Sequence, residues 1–334
     1  MTCPSVGAAM RRRAFLRLLG GAAATWPFAV HAQQSAMPVI GLLRVNAPDD
    51  TPQLLAAFRQ GLRDKGFIEG QNVAIEYRFA DNKNERLPAL AADLVHRQVA
   101  VIATTSTPAA LAAKAATTTI PIIFEGGMDP IRVGLVSSLD RPGGNITGVT
   151  QLNVEVAPKR LELLHELVPK AKVMAFLVNP TDALSAETTD LQAAARNVGV
   201  ELHVLSASSE RDFDAVFANL AQLRAGGLVI GSSAFFVARQ EQLAALAVRH
   251  AVPAVFENRQ FVTAGGLMSY GGSLTDAYRL AGVYTGRILK GEKPAELPVQ
   301  RGVKVELYIN LKSAKALGLN VPPAMQARAD EMIE

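Results

Sequence analysis

The feature that most constrains the fold is an alternation of short apolar segments with longer amphipathic ones. Short apolar runs between turn residues are typical of buried strands, and runs with a period of about 3.6 residues are typical of helices. Regular alternation of the two predicts a parallel sheet with helices on both faces. Two series of such strands are expected, at residues 39–45, 73–79, 99–104 and 121–124, and again at 173–178, 201–205, 227–230 and 253–256.

The two series share a pattern at their best-defined stretch. An apolar strand, a polar turn and an Ala-rich helix lead to Pro121-Ile122-Ile123-Phe124-Glu125, and the same order leads to Pro253-Ala254-Val255-Phe256-Glu257. We interpret this as a duplication, although the shared composition of βαβ units can produce a similar pattern. The predicted fold class is α/β, with two doubly wound parallel-sheet lobes joined by a three-strand hinge.

The expected first lobe comprises residues 38–147 plus 261–297, and the second comprises residues 148–260 plus 298–334. A tail after the second series is too long for a cap and too short for a domain, so it is expected to return to the first lobe and cross again. Candidate crossings between the lobes are residues 143–148, 258–263 and 298–302.

Residues 1–32 have the pattern of an export signal. Arg11, Arg12, Arg13 and Arg17 precede an apolar run at residues 18–30, and Val30-His31-Ala32 resembles a cleavage site. The run is shorter than the ~20 residues that a membrane span requires. Arg12-Arg13 within this context favours the twin-arginine route to the periplasm, with an ordinary Sec signal as the alternative.

Removal of the signal changes the charge and the cysteine content of the chain. The 34 basic residues exceed the 30 acidic ones by four, and the four arginines of the signal account for this excess. A neutral mature chain does not favour a nucleic-acid partner, which needs a basic patch. Cys3 is the only cysteine and precedes the signal, so no disulfide, thiol catalysis, cysteine metal site or lipid-anchored cysteine is expected.

Ligands of open parallel sheets bind outside the carboxyl ends of the strands. Thr105, Ser106 and Thr107 follow the third strand and open a helix, where hydroxyls and free backbone N–H groups suit a carboxylate. Simple capping of the helix by Ser106 or Thr107 is the alternative. Asn46 follows the first strand and is also a candidate contact.

Glu125 and Asp129 follow the fourth strand and are candidate partners of an ammonium group. Asp129 has the alternative role of capping the segment after Pro130. The paired glycines Gly126 and Gly127 allow a ligand to approach the backbone closely. Glu125 and Glu257 could also face one another as in a glycoside hydrolase, an interpretation that we weigh far below ligand binding.

The second lobe contributes candidates at the corresponding strand ends. Asn179, Ser232 and Asn258 each follow a predicted strand, and Tyr270 lies near the expected hinge. Phe235 lies in a predicted loop, where it would cover an apolar ligand or pack beneath the next helix.

Patterns that support catalysis or cofactor binding are lacking. The chain has no Gly-x-Gly-x-x-Gly, no phosphate-binding loop and no Gly-x-Ser-x-Gly elbow. Its histidines have no metal-ligand spacing. We therefore expect neither an enzyme nor a bound metal or cofactor.

Several longer stretches are distinctive, namely ERLPALAADLV at 85–95, DPIRVGLVSSLDRPGGNITGVT at 129–150, FVTAGGLMSYGGSLTDAYR at 261–279 and INLKSAKALGLNVPPAMQARADEMIE at 309–334. Through them the chain resembles the ABC transporter substrate-binding protein family whose better-known members bind tryptophan or tyrosine. The resemblance implies a type I periplasmic binding protein that closes on a small ligand and delivers it to a membrane permease and its ATPase.

The resemblance leaves the ligand open. The family usually carries small residues before Asp129-Pro130, whereas this chain has an acid, Glu125, in that stretch. An amino acid or other small carboxylate is the expected ligand class, and the protein is expected to be a monomer. A periplasmic sensor subunit is the alternative function. A transcription regulator of the same fold would carry DNA-binding helices where the export signal lies.

Overall fold

The computed structural model describes Thr2 and residues 37–151, 153–182, 185–302 and 304–334. The expected export signal at residues 1–32 lies outside the described residues, apart from Thr2. Residues 37–334 form one compact unit. No helix within the described ranges has the length and apolar composition needed to cross a bilayer.

The strands of this unit belong to two sheets. They are β1 (Val39–Arg44), β2 (Ala74–Phe79), β3 (Val101–Thr104), β4 (Ile122–Gly126), β5 (Ile146–Thr150), β6 (Val173–Val178), β7 (Glu201–Ser206), β8 (Leu228–Ile230), β9 (Ala254–Phe256), β10 (Met268–Gly272), β11 (Gln300–Arg301), β12 (Val305–Asn310) and β13 (Glu331–Ile333).

Helices connect most of these strands. They are α1 (Pro52–Arg63), α2 (Leu87–His96), α3 (Thr107–Ala116), α4 (Ala157–Leu167), α5 (Ser185–Val198), α6 (Asp212–Leu223), α7 (Ala234–Ala238), α8 (Gln240–Arg249), α9 (Arg259–Thr263), α10 (Leu274–Leu289), α11 (Leu311–Ala316) and α12 (Pro323–Gln326). Short 3₁₀ turns occur at Asn84–Arg86 and Pro294–Glu296.

The two sheets repeat one strand order. The first runs β2-β1-β3-β4-β5-β11 and the second runs β7-β6-β8-β9-β10-β12-β13. All pairs in the first sheet are parallel, and in the second sheet only β12 runs antiparallel to its neighbour β10. Strands β1–β5 therefore correspond to β6–β10, which agrees with the duplication inferred from the sequence.

Alternate residues of each central strand face different helices. Ile40 and Leu42 of β1 join the core formed with α1 and α10, whereas Leu43 packs with α2 and α3 on the other face. This alternation follows from the period of two in a strand, and it explains why the strands are apolar along their whole length. The predicted α/β class with two parallel-sheet lobes is confirmed.

The lobe boundaries differ from those expected. Strand β10 pairs with β9 and β12 of the second sheet, although residues 261–297 were expected in the first lobe. The first crossing follows β5 and lies between Thr150 and Ala157, not at residues 143–148. The other two lie between Gly272 and Leu274 and between Arg301 and Val305. Hydrophobic pattern predicts a strand but not the sheet that it joins.

A close contact with α1 holds α10, the helix that follows the second crossing, on the first lobe. A Cβ atom at Gly282 of α10 would lie 2.1 Å from the carbonyl oxygen of Phe58 in α1. At Gly61 of α1 it would lie 1.8 Å from the carbonyl oxygen of Arg279. Because both obstacles are backbone atoms, they cannot move aside as a flexible side chain would.

We therefore expect Gly282→Ala to lower the free energy of unfolding by about 1–3 kcal/mol, despite the higher helix propensity of alanine. Urea unfolding followed by circular dichroism measures the change. Thr275→Ala, at an exposed position of the same helix, is the control and should change stability by less than about 0.5 kcal/mol. Equal stability of Gly282→Ala and the parent would show that the two helices are not tightly packed.

Candidate functional site

A cavity of about 350 Å³ lies between the carboxyl ends of the two sheets. Both lobes and the first hinge crossing contribute to its wall. Its polar and charged lining residues are Asn46, Asn84, Thr105, Ser106, Thr107, Glu125, Gln151, Asn153, Thr181, Asp182, Ser232, Ser233 and Glu257. This is the location that parallel-sheet topology predicts for a ligand.

The start of α3 supplies hydroxyl groups to the cavity. Ser106 occupies the N-cap position, and its Oγ accepts a hydrogen bond from the backbone N–H of Ala109 at 3.3 Å. Its capping role is therefore the one that the sequence offered as an alternative. The Oγ1 of Thr105 is buried and has no hydrogen-bond partner within the described ranges. A Cβ atom at Gly126 would lie 2.8 Å from Oγ1 of Thr107, so a larger residue there would crowd this edge.

Glu125 lies at the end of β4 and is almost completely buried. Its Oε1 accepts a hydrogen bond from Nε2 of Gln151 at 2.7 Å. Burial raises the pKa of Glu125 to about 8; the bond from Gln151 and the charge of Arg44 oppose this rise, and the neighbouring Glu257 adds to it. The side chain therefore holds a proton near neutral pH in this environment.

Gln151 and Asn153 connect this carboxyl group to the hinge. Nδ2 of Asn153 donates to Oε1 of Gln151 at 2.9 Å, and Oδ1 of Asn153 accepts from the backbone N–H of Gly272 at 3.0 Å. Gly272 ends β10, immediately before the second crossing. Two of the three crossings are thus joined to each other next to the cavity.

Arg160 of α4 lies beneath the second lobe's part of the site and is completely buried. It donates to the carbonyl oxygens of Asn153 at 2.8 Å and Tyr270 at 3.2 Å, and to Oγ of Ser232 at 3.4 Å. Its Nη2 lies 3.5 Å from Oε1 of Glu187. The hydroxyl of Ser232 in turn donates to Glu257.

The two carboxyl groups near Arg160 are also shifted by burial. Burial raises the pKa of Glu187 to about 8, although the charge of Arg160 opposes the rise. Burial also raises the pKa of Glu257, against Arg160 and the hydrogen bond from Ser232. No three His, Cys, Asp or Glu side chains of the described residues come together as a metal site.

Direct hydrogen bonds join the two lobes across the mouth of the cavity. Nδ2 of Asn46 donates to the carbonyl oxygen of Ala234 at 2.8 Å, and Nδ2 of Asn84 donates to Oδ1 of Asp182 at 2.9 Å. Nη1 of Arg239 lies 2.7 Å from Oδ1 of Asp50. Although burial opposes it, hydrogen bonds from Arg239 and other groups hold the pKa of Asp50 below its usual value. The lobes are therefore in a closed arrangement.

Six of the predicted contact residues line this cavity, namely Asn46, Thr105, Ser106, Thr107, Glu125 and Ser232. The structure brings them together from both lobes, as the strand-end rule requires.

The other five predicted contacts lie outside the lining. Oδ1 of Asp129 accepts from the backbone N–H groups of the turn after it, the capping alternative. Asn179 bonds to Ser233 and Thr181 behind the wall. Phe235 packs in the core of the second lobe. Asn258 is buried at the N-cap position of α9, and Tyr270 contributes its carbonyl oxygen to Arg160.

Several lining residues were not among the predicted contacts, notably Asn84, Gln151, Asn153, Asp182 and Glu257. Gln151 and Asn153 follow β5 directly, so the strand-end rule would have found them if the first crossing had been placed there. In the sequence analysis Glu257 ends the second copy of the repeated strand pattern and is a possible hydrolase partner of Glu125, but it is not among the predicted ligand contacts.

Residues 48–333 match a family model described as ABC transporter substrate binding protein. The chain belongs to this family. The ABC transporter substrate-binding proteins are, by that description, binding proteins rather than enzymes, and both the family and the fold predicted from sequence are confirmed.

A curated protein and two solved structures are similar to the chain over most of its length. A tyrosine-binding protein of Clostridioides difficile (strain R20291) is 28% identical over 264 residues, which cover 78% of this chain and 75% of that protein. A conserved domain protein from Vibrio cholerae superposes with a TM-score of 0.80 at 25% identity, over 89% of this chain and 99% of the other. An ABC domain from Streptococcus pneumonia, solved with L-Trp, has the same coverage with a TM-score of 0.78 and 22% identity.

The raised pKa values make the stability of the ligand-free protein depend on pH. Between pH 4.5 and about 8, the folded state keeps protons on Glu125 and Glu187 that the unfolded chain releases. Stability should therefore fall as pH rises through this range. Each unit of raised pKa corresponds to about 1.4 kcal/mol. Glu125→Gln stays neutral and keeps an acceptor for Gln151, so its stability should fall less steeply.

Urea unfolding at pH 5, 6.5 and 8 measures this difference between the variant and the parent. Glu166→Gln is the control, because Glu166 pairs with Arg328 at a partly exposed position. The prediction is wrong if the curves of Glu125→Gln and the parent stay parallel across the range.

Proposed function

We propose that this protein is the exported, ligand-binding component of an ABC importer, and that it binds its ligand in the cavity between the lobes. The observation that carries the proposal is a cavity whose mouth is bridged by direct hydrogen bonds between the lobes, with polar groups from both lobes in its wall. A ligand held there contacts both lobes at once and stabilises the closed form.

Closure supplies the signal for delivery. A membrane permease with its ATPase can distinguish closed from open forms by the relative positions of the two lobe surfaces. Export to the periplasm through the signal at residues 1–32, with Arg12-Arg13 for the twin-arginine route, places the protein where such a permease would receive it.

An amino acid or other small carboxylate is the proposed ligand class. The hydroxyls at the start of α3 suit a carboxylate, and Glu125 with Glu257 suits an ammonium group. The similarity to a tyrosine-binding protein and to a structure solved with L-Trp supports an amino acid.

Purification from the periplasm of a producing cell, followed by denaturation and mass spectrometry, tests the binding role. We expect a small molecule in near-stoichiometric amount. Deletion of the gene should then abolish uptake of that radiolabelled molecule. Normal uptake after deletion, with loss of a chemotactic or transcriptional response, would instead favour the sensor function.

The contact between Arg239 and Asp50 should contribute to closure. Arg239 also pairs with Glu210 of its own lobe, and both Arg239 and Asp50 are largely buried. Removing a pair of this kind costs about 1 kcal/mol, which corresponds to a roughly fivefold shift toward the open form. We expect Arg239→Met to show this shift.

Spin labels on Asp140→Cys in the first lobe and Gln192→Cys in the second can measure the distance between the lobes by pulsed electron resonance, since Cys3 is the only native cysteine. Arg328→Met is the matched control, because Arg328 and Glu166 both belong to the second lobe. Identical distance distributions for Arg239→Met and the parent would contradict the role of this pair.

A further inference from the structure

The cavity wall carries an unbalanced charge. Its charged lining residues, within the described ranges, are Glu125, Asp182 and Glu257, all of them acidic. Directly behind the wall lie two buried guanidinium groups, Arg44 and Arg160, and a further buried carboxyl group, Glu187. Four carboxyl groups thus lie near two permanent positive charges, and burial raises the pKa of all four.

Glu125 and Glu257 occupy equivalent places in the two lobes. Glu125 is the fourth residue of β4, and Glu257 directly follows β9, the strand that corresponds to β4. Both residues line the cavity, one from each lobe. Glu125 accepts a hydrogen bond from the amide of Gln151, whereas Ser232 donates to Glu257. The first lobe therefore presents a carboxyl group bound by an uncharged amide, opposite a carboxyl group of the second lobe.

The apolar part of the wall is aliphatic. It includes Leu87, Pro88, Leu111, Met128, Val237 and Leu274. Among the described lining residues, Tyr278 is the one aromatic side chain. It is buried, and its hydroxyl donates to the carbonyl oxygen of Thr105 at 3.4 Å. The wall therefore provides an apolar surface for an alkyl chain. Among the described lining residues it provides no exposed aromatic ring on which an aromatic ligand could stack.

We propose that the ligand is an aliphatic compound of net positive charge whose cationic nitrogen lies between Glu125 and Glu257 and joins the two lobes. The inference rests on the function proposed above and specifies its ligand class. A cation at this place forms charge-assisted hydrogen bonds with both carboxylates, and its positive charge offsets the repulsion that arises when Glu125 loses its proton.

The hydroxyl of Thr105 gives a second, independent indication of a ligand. The residue is 5% exposed, it lines the cavity, and its Oγ1 has no partner within the described residues. A buried hydroxyl without a partner carries a desolvation cost, which a ligand donor or acceptor would offset. If the ligand is a basic amino acid, its carboxylate would lie beside the hydroxyl of Thr105. If the ligand is a simple diamine, that hydroxyl would be left to bind water.

Isothermal titration at pH 7 with five probes tests the proposal. L-lysine and 1,5-diaminopentane are cationic, L-leucine and L-tyrosine are zwitterionic, and hexanoate is anionic. We expect one or both cationic probes to bind and the others to bind at least about tenfold more weakly. Tighter binding of L-lysine than of the diamine would indicate a carboxylate at the start of α3, and the reverse order a simple amine. Either result supports a cationic ligand.

Variants then locate the cationic group. Glu125→Gln and Glu257→Gln should each weaken the cationic probe at least about tenfold, while Glu166→Gln leaves its binding unchanged. Titrations in two buffers of different ionisation enthalpy should show proton release on binding to the parent, because the cation displaces the proton of Glu125. Glu125→Gln should release fewer protons. Melting temperatures confirm that each variant is folded.

Binding of L-tyrosine, L-leucine or hexanoate as tight as that of the cationic probes would overturn the charge assignment and leave the binding function intact. The same holds if mass spectrometry of the native ligand finds a molecule without a cationic group. If no probe binds and the purified protein carries no small molecule, both the charge assignment and the proposed function fail.

Discussion

The geometry of the site depends on a buried positive charge, the guanidinium group of Arg160. A charge removed from water costs several kcal/mol unless hydrogen bonds and opposite charges surround it. Those groups come from the hinge segment at Asn153, from β10 at Tyr270, from the loop after β8 at Ser232 and from α5 at Glu187. Because groups from all four segments contact this one guanidinium, no segment can move far without removing a partner of the buried charge. The second lobe therefore holds its part of the site in place before any ligand arrives.

The first lobe is connected to that centre through neutral groups. Glu125 accepts from Gln151, Gln151 accepts from Asn153, and Asn153 accepts from the backbone of Gly272. This chain of amides joins the end of β4 to two hinge crossings. Amides serve here because they donate and accept at once and add no further charge to a region that already holds an excess of carboxyl groups. Movement at the hinge and protonation of Glu125 are thus linked by direct contacts.

Some features of the fold and of the site have a clear pattern in the sequence, and others have none. The two lobes were predictable because their strands are apolar throughout and their helices are amphipathic, and the repeated Phe-Glu ending placed Glu125 and Glu257 in equivalent positions. The sheet that Met268–Gly272 joins was not predictable, since its apolar pattern suits either lobe. Phe235 illustrates a similar limit, because composition does not tell which way a loop side chain points. Glu187 gave no signal, since a lone acid on a helix is usually exposed and its burial depends on Arg160, a residue on another helix.

The internal repeat explains why the two halves of the site are chemically unequal although their strands are equivalent. Duplication places a carboxyl group at the carboxyl end of the fourth strand of each lobe, and two ionised groups facing one another would oppose closure. The second lobe stabilises its copy with Arg160 and Ser232, whereas the first lobe gives Glu125 the amide of Gln151 and the charge of Arg44. Glu125 is therefore the group that gains or loses a proton as the cleft empties and fills. A neutral Glu125 lets the empty lobes meet, and an ionised one requires a positive charge between them, so the identity of the ligand and the closed form of the protein depend on the same carboxyl group.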